Sequence, residues 1–374
     1  MAIVYAISIL TFTCCLILTP IVIKMCKKYN LVDIPKDNRR VHSKPMPRCG
    51  GIAIVISTLL GLTVYYLITR DIESIALNRN FVGYVIGGLI IFIMGLIDDI
   101  WNLSPKYKFF FQLAAGITVY YFGIRISVIN VPISSIGTVN LAKWVEFLFT
   151  MVWVISITNA MNLIDGLDGL AAGICSIAAT ALLIVFITTS ASLEAIIIIA
   201  ALVGSTLGFL PYNFNPAKTF MGDCSSNFLG FTMSIVSILG FAKGYTMLAI
   251  VAPVLVLGVP IFDTLFAMIR RILKGQPPLR PDGAHIHHRL IKRGFSQRQA
   301  VLILYTITSI LCIVAVSIIS ADFWKLIILI VMSICFIIIN LISIKKQREN
   351  NSEDNTVSQN FTSDLEKKNI IRKE

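Results

Sequence analysis

Six aspartates are the strongest candidates for chemistry in this chain, because each lies where a long apolar run begins or ends. They are Asp98, Asp99, Asp165, Asp168, Asp223 and Asp263. Ionised carboxylates are unfavourable in hydrocarbon, so acids gathered at the ends of apolar runs indicate a functional site. Carboxylate oxygens bind hard divalent cations, and such cations neutralise phosphate groups. The pattern therefore predicts divalent-metal and phosphate chemistry.

The segment NAMNLIDGLDGL, residues 159–170, is the richest of these places in polar groups. Asp165 and Asp168 are three residues apart and share one face of the helix that is predicted to start here. The glycines beside both acids permit close approach of a ligand, and Asn159 and Asn162 add two amides. A helix N-terminus also favours phosphate. Capping of the helix by the two acids is the alternative interpretation.

The remaining acids end or begin other apolar runs. Asp98 and Asp99 oppose the dipole at a helix C-terminus and so favour a nearby cation, with a solvated helix end as the alternative. Asp223, in FMGDCSSNFLG, either caps a helix or joins the other acids as a metal ligand. Asp263 is predicted to orient the site rather than to take part in chemistry.

Two basic segments offer groups for anions. They are PDGAHIHHRLIKRG, with His285, His287, His288 and Arg289, and DIPKDNRRVHSKPMPRCGG, with His42 and Arg48. A histidine cluster first suggests zinc, but no cysteine is near it and zinc would leave the arginines without a role. A nucleotide diphosphate suits the cluster better, and attraction of a basic loop to anionic lipid is a further interpretation.

Membrane helices are the elements that must position these residues. Of the 374 residues, 56% are hydrophobic and only 14% are charged, which is too few charges for a soluble surface. The apolar runs are long enough to cross a bilayer and lack the alternation of barrel strands. We predict an all-α polytopic integral membrane protein with about eleven transmembrane helices. The predicted spans are 2–23, 50–69, 81–97, 109–123, 144–160, 167–189, 193–211, 225–241, 245–269, 299–320 and 323–344.

The basic residues predict the orientation of these spans. Of the 32 Lys and Arg residues, 26 fall in the loops and tail of one side, which the positive-inside rule makes cytoplasmic. The N-terminus is then outside and the C-terminus inside, and the net charge of +12 reflects topology rather than nucleic-acid binding. We predict a membrane domain over 1–344, a disordered cytoplasmic tail over 345–374, and a small outer hairpin within 124–143. No cysteine lies in a predicted outer loop, so a disulfide framework is not expected.

Five of these segments, in this order, resemble the polyprenyl-phosphate N-acetylhexosamine-1-phosphate transferase family over about residues 25–300. They are PKDNRRVHSKPMPRCGG, Asp98–Asp99, NLIDGLDGLAAG, FMGD and HIHHRL. HIHHRL is similar to the branch that starts teichoic-acid, O-antigen or other surface glycans. Two features depart from the family pattern: Cys224 and Ser225 follow FMGD in place of a small residue and glycine, and Cys49 interrupts a PRGGG-like run.

The resemblance implies transfer of an N-acetylhexosamine 1-phosphate, most simply GlcNAc 1-phosphate, from a UDP-sugar to undecaprenyl phosphate, with release of UMP. It places the active site at the cytoplasmic face of the plasma membrane and implies Mg²⁺, with Mn²⁺ as a substitute, and a homodimer by family analogy. A secondary transporter of a sugar nucleotide or lipid-linked sugar is the alternative. Transporters place their sites near the midplane, whereas these acids crowd one interface.

Residue roles follow from the resemblance as hypotheses. Mg²⁺ is assigned to Asp223 and Asn162. The predicted catalytic residues position or deprotonate the lipid phosphate, hold the nucleotide or tune the metal, and they are Asp98, Asp99, Asp165 and Asp168. The predicted substrate-binding residues are Arg48, His42, Asn159, His285, His287, His288 and Arg289. Direct transfer and a two-step path through an aspartyl adduct both stay open.

Overall fold

The described part of the chain is built almost entirely from helices, which satisfy their own backbone hydrogen bonds in a membrane. The computed structural model describes residues 1–33, 45–69, 79–130, 138–241, 248–276 and 285–320. Its helices are α1 (Ala2–Lys28), α2 (Ile52–Thr69), α3 (Arg79–Trp101), α4 (Pro105–Tyr121), α5 (Lys143–Ile164), α6 (Leu170–Thr188), α7 (Leu193–Asn213), α8 (Asp223–Phe241), α9 (Leu248–Val256), α10 (Gly258–Leu273), α11 (Ile286–Lys292) and α12 (Gln297–Ser320).

Two short antiparallel hairpins complete the described elements. Strand β1 (Val32–Asp33) pairs with β2 (Met46–Pro47), and β3 (Val128–Asn130) pairs with β4 (Thr138–Asn140). The second hairpin confirms the one predicted within 124–143.

Seven of the described helices are long and apolar enough to cross a membrane, by length and composition. They are α1, α2, α3, α5, α6, α7 and α12. The predicted fold class, an all-α polytopic membrane protein, is therefore confirmed. The count of eleven spans and the orientation of the termini stay predictions. The predicted span 323–344 and the predicted tail 345–374 lie outside the described residues.

The predicted ninth span, 245–269, is wrong as one continuous helix, because the structure divides it at Leu257 into α9 and α10. Pro260 accounts for the break. It has no N–H to donate to the carbonyl of Val256, one turn earlier, and its ring crowds that carbonyl, so the helix is interrupted here. Backbone bonds from Leu257 N to Pro253 O (2.9 Å) and from Ile261 N to Leu257 O (3.0 Å) flank the junction.

Close packing of α3, α4, α5 and α8 brings their acid-bearing ends together. Gly95 of α3 lies directly against the backbone of Cys224 in α8, where an added Cβ would overlap it. Small residues allow this approach of helices in membranes. Gln112 of α4, 1% exposed, donates to the side-chain oxygens of Asn159 in α5 and Asn227 in α8, both at 3.3 Å. A buried polar network of this kind fixes the relative rotation of the three helices.

The loop before α2 and the loop before α8 are joined by main-chain hydrogen bonds. The bonds run from Phe220 N to Pro47 O (2.9 Å), from Gly50 N to Phe220 O (3.0 Å) and from Gly51 N to Met221 O (3.0 Å). The RCGG and FMGD motifs, far apart in the sequence, therefore form one structural unit.

Candidate active site

A lysine ammonium lies between two of the predicted aspartates. Lys108, in the first turn of α4, donates to Asp223 Oδ2 at 2.8 Å and also contacts Asp98 Oδ2. Asp98 is 5% exposed, and its other oxygen accepts the N–H of Leu103 at 2.7 Å. A buried carboxylate needs an opposite charge, and the ammonium supplies one to both acids. Asp98, Lys108 and Asp223 thus form one charged cluster.

Asp99 is occupied by the start of α8. Its Oδ1 accepts the N–H of Asp223 at 2.8 Å, and its Oδ2 accepts the N–H of Cys224 at 3.0 Å. A carboxylate at a helix N-terminus satisfies free N–H groups and suits the dipole. Gly222 allows Asp99 to lie this close to the start of α8. Its φ is +82°, and a Cβ there would lie 2.6 Å from Arg48 O and 2.7 Å from Asp99 Oδ2. These contacts favour a positioning role for Asp99, with its predicted catalytic role untested.

The two predicted metal ligands are neighbours. The amide of Asn162, in the last turn of α5, donates to Asp223 Oδ1 at 3.2 Å and to Ser226 Oγ at 2.8 Å. Asn159, one turn earlier, donates instead to Gln112 Oε1 at 2.7 Å and to Ile155 O at 2.8 Å. The structure therefore brings Asn162 to the acids and engages Asn159 in the interhelical network.

Asp165 and Asp168 have different environments. Desolvation, with the carboxylates of Asp223 and Asp99 next in effect, raises the pKa of Asp165 to about 8. Within the described ranges no hydrogen-bond donor contacts the Asp165 carboxylate. Asp168 Oδ2 accepts Asn215 Nδ2 at 3.0 Å and the N–H of Ala217 at 3.2 Å. The Asp165 carboxylate can thus bind a cation or accept a hydrogen bond from a substrate. The Asp168 carboxylate instead stabilises the loop after α7.

The histidine segment is held by Asp263 of α10. Asp263 Oδ2 contacts His285 Nδ1 at 2.9 Å, and its Oδ1 accepts the N–H of Ile286 at 2.9 Å. The rings of His285 and His287 are nearly parallel, with centroids 5.9 Å apart, and those of His287 and His288 are 4.3 Å apart. Burial, and then the charge of His288, lower the pKa of His287 to about 4, so His287 is neutral at pH 7.

His287 connects this segment to the acids. It is 2% exposed, and its Nε2 lies so close to Gly166 that an added Cβ would overlap it. The glycine between the acids of the NLIDGLDG motif therefore makes room for an imidazole. His288 and Arg289 are exposed on the short helix α11.

The basic loop before α2 carries the two remaining residues that were predicted to bind substrate, Arg48 and His42. Arg48 forms an ion pair with Asp33 of β1 at 3.3 Å, and its carbonyl lies beside Gly222 at the FMGD turn. Arg48 therefore borders the acids. His42 lies outside the described residues.

The donor set fits Mg²⁺ as an open site. In the described part of the chain, no group of three or more His, Cys, Asp and Glu side chains forms a metal cage. Mg²⁺ does not need one, because it takes one or two protein ligands and completes its shell with water and substrate phosphates. The side-chain amide of Asn162 contacts Asp223 Oδ1, so both side chains border one place, and the Lys108 ammonium lies between Asp223 and Asp98.

Sequence reasoning missed Lys108 and Gln112. In the sequence Lys108 is one of the charges that set topology, and Gln112 is a polar residue within a predicted span. One indication of the role of Lys108 was available in the sequence. This lysine lies in the first turn of an apolar helix that directly follows Asp98 and Asp99. No sequence pattern distinguished Gln112, because its partners come from two other helices.

The fold and site define a polytopic membrane protein with a polar site for anionic groups, built from carboxylates, an ammonium and imidazoles at one end of its helices. Comparison with known proteins narrows this class. The family model described as glycosyl transferase family 4 matches residues 81–241. Curated relatives extend the match over most of the chain, and the chain belongs to glycosyl transferase family 4.

Three relatives illustrate the match. A "probable undecaprenyl-phosphate N-acetylglucosaminyl 1-phosphate transferase" of Bacillus subtilis (strain 168) is 42% identical, over 89% of this chain and 88% of the relative. A "decaprenyl-phosphate N-acetylglucosaminephosphotransferase" of Mycolicibacterium smegmatis is 36% identical, over 79% and 77%. An "undecaprenyl-phosphate alpha-N-acetylglucosaminyl 1-phosphate transferase" of Escherichia coli (strain K12) is 30% identical, over 78% of each. The resemblance that the motifs indicated is thereby confirmed.

Proposed function

We propose that this protein transfers GlcNAc 1-phosphate from UDP-GlcNAc to undecaprenyl phosphate and releases UMP. The observation that carries the proposal is the Asp98–Lys108–Asp223 cluster, in which two acids separated in the sequence share one cation beside Asn162 and Asp165. The names of the relatives supply the substrates. A phosphate-handling site at one end of membrane-spanning helices suits an acceptor whose lipid tail stays in the bilayer.

The reaction is a displacement at phosphorus. An oxygen of the acceptor phosphate attacks the β-phosphorus of UDP-GlcNAc, the bond from that phosphorus to the bridging oxygen breaks, and UMP leaves with the electron pair. Both substrates are anionic, so neutralisation and alignment are the main requirements. Asp223 and Asn162 would hold Mg²⁺, which when bound would neutralise phosphate oxygens and orient the diphosphate.

The chain's own residues have separable tasks in this proposal. Lys108 bridges the two acids. One of its N–H groups can change its acceptor from Asp98 to a phosphate oxygen of the substrate. Asp98, buried at the end of α3, positions the acceptor phosphate, whose second pKa near 6 leaves little need for strong base catalysis. Asp99 holds the peptide groups at the start of α8, and thereby Asp223, in place. His285, His288 and Arg289 face the diphosphate with imidazole and guanidinium donors.

The cellular setting is part of the same proposal. The strong asymmetry of basic residues supports an N-terminus outside and an active site at the cytoplasmic face of the plasma membrane. A product that is a lipid-linked sugar diphosphate suits the first membrane step of a teichoic acid or other surface polysaccharide. The homodimer stays a prediction.

The test is UMP release by protein purified in detergent, with undecaprenyl phosphate and a panel of UDP-N-acetylhexosamines, while Mg²⁺ is varied. We expect UMP and a lipid-linked GlcNAc diphosphate, detected by mass spectrometry, only with Mg²⁺ or Mn²⁺ present. A transporter would release no UMP in detergent, where no second compartment exists. Wild-type protein that is inert with every donor would refute the proposal.

A matched pair of variants tests the site. Asp223→Asn removes the carboxylate that contacts Lys108 and Asn162, and we expect kcat to fall at least a hundredfold. Glu194→Gln makes the same chemical change in the first turn of α7, at the end of that helix opposite to the FMGD loop, and should keep wild-type activity. Full activity in Asp223→Asn would refute the metal assignment.

A further inference from the structure

Asp263 binds the histidine segment rather than the acidic cluster. Its carboxylate is 4% exposed, and each oxygen has a partner at 2.9 Å: His285 Nδ1 for Oδ2 and the N–H of Ile286 for Oδ1. Asp263 lies in the second turn of α10, after the break at Leu257. The direction that α10 takes after this break places the Asp263 carboxylate at the N-terminus of α11. The two partners are consecutive residues at the start of α11, so Asp263 controls both a backbone and a side chain.

The contact decides which nitrogen of His285 carries a proton. A carboxylate only accepts hydrogen bonds, so Nδ1 must be the donor to Asp263. Nε2 is then the nitrogen that remains for a ligand, either as an acceptor or, in the imidazolium, as a donor. Carboxylate–imidazole contacts fix ring orientation and tautomer in many functional sites.

The ring of His285 is also aligned with the rest of the site. It is buried, and it lies nearly parallel to His287, which packs against Gly166 beside Asp165. Asp263 is therefore the fixed end of a series of contacts that reaches the NLIDGLDG loop. Among the described residues, the titratable groups whose rings follow this pair are His287 and, beyond it, His288.

We infer that Asp263 is a positioning residue for the transfer reaction, acting through His285, whose Nε2 it directs to the diphosphate of the UDP-sugar. The inference rests on the proposed function. It predicts that loss of the carboxylate affects turnover rather than acceptor binding, because the lipid phosphate is assigned to Asp98 and Lys108.

The test compares Asp263→Asn with Thr264→Val. The asparagine keeps an acceptor for Ile286 N–H but places an amide N–H against His285 Nδ1, which reverses the tautomer. We expect kcat to fall by about 10- to 100-fold, the usual loss when the partner of a functional histidine is changed, with the KM for undecaprenyl phosphate within about twofold. Thr264 is adjacent, and its buried hydroxyl has no partner among the described residues, so Thr264→Val should retain activity.

A double-mutant cycle separates positioning from a merely structural contribution. In a His285→Ala background, Asp263→Asn should reduce kcat by less than about threefold further, because the pathway through His285 is already lost. An equal reduction in both backgrounds would overturn the inference, and so would wild-type kcat in Asp263→Asn. Wild-type protein that releases no UMP would instead overturn the proposed function.

A spectroscopic measurement decides the point even where Asp263→Asn fails to fold. The chain has four histidines, so ¹⁵N-histidine labelling of the wild type gives few resonances. We expect one ring with a protonated Nδ1 in strong hydrogen bonding, and we expect His285→Ala to remove that resonance alone. An unprotonated His285 Nδ1 would overturn the inference.

Discussion

Lys108 gives the sharpest prediction of the structure, because its ammonium contacts both Asp98 and Asp223. In Lys108→Gln the amide keeps some hydrogen bonding but removes the charge. Opposite unit charges about 2.8 Å apart attract by roughly 6 kcal/mol at an effective dielectric constant of about 20. The net loss is smaller because the lysine gives up hydration when it pairs, and because the Lys108 and Asp223 side chains are 26% and 35% exposed.

Removal of one partner of a buried ion pair destabilises by about 3–5 kcal/mol, and the partial exposure places this variant near the lower value. We expect Tm to fall by about 5 °C in detergent. Added Mg²⁺ should raise the Tm of Lys108→Gln more than that of the wild type, because metal and ammonium compete for the same carboxylates. Transfer activity should fall by about 10²- to 10³-fold.

The matched control is Lys106→Gln, which makes the same change two residues earlier on the exposed surface of α4. Differential scanning fluorimetry with and without Mg²⁺, together with UMP release, measures both effects. If Lys108→Gln matches Lys106→Gln in Tm, in Mg²⁺ response and in turnover, the shared-cation account is wrong.

Three further predictions follow from contacts around this cluster. Asp99→Asn leaves one N–H at the start of α8 facing an amide donor, so we expect a loss of about 2 kcal/mol, measured as a lower Tm, and reduced activity from displacement of Asp223; unchanged Tm would contradict the capping role. Gly166→Ala forces a Cβ into His287 Nε2, so Tm should drop, and His287→Ala in the same chain should restore it; no restoration would show that the strain lies elsewhere. Asp165→Asn should be inactive yet more stable than the wild type. The raised pKa of Asp165, about 8, means that its ionisation opposes folding increasingly from about pH 4 to pH 8, so the gain in Tm should be near zero at pH 4 and grow to a plateau above pH 8. A gain that is independent of pH would refute this explanation.

The sequence by itself determined the fold class and identified the acids of the site, but not Lys108 between them. Scarce charges and long apolar runs require membrane helices, and an acid at the end of such a run is too unfavourable to be incidental. Asp98 and Asp223 were identified in this way, and Asn162 as an amide beside the acids of NLIDGLDG; the structure brings the three together. The sequence predicted helix boundaries less accurately. The break at Leu257 depends on Pro260, and the effect of a proline varies with its position in a helical turn.

Only the tertiary structure decided what each polar residue touches. Asp98 and Asp99 are adjacent in the sequence, yet one contacts Lys108 and the other caps α8, because successive side chains at a helix end point in different directions. The pairing of Asp263 with His285 likewise depends on how α10 leaves the break and where α11 begins. Periodicity and composition report the environment of a residue along its own helix, but a contact between helices is set by their packing, which distant glycines such as Gly95 determine.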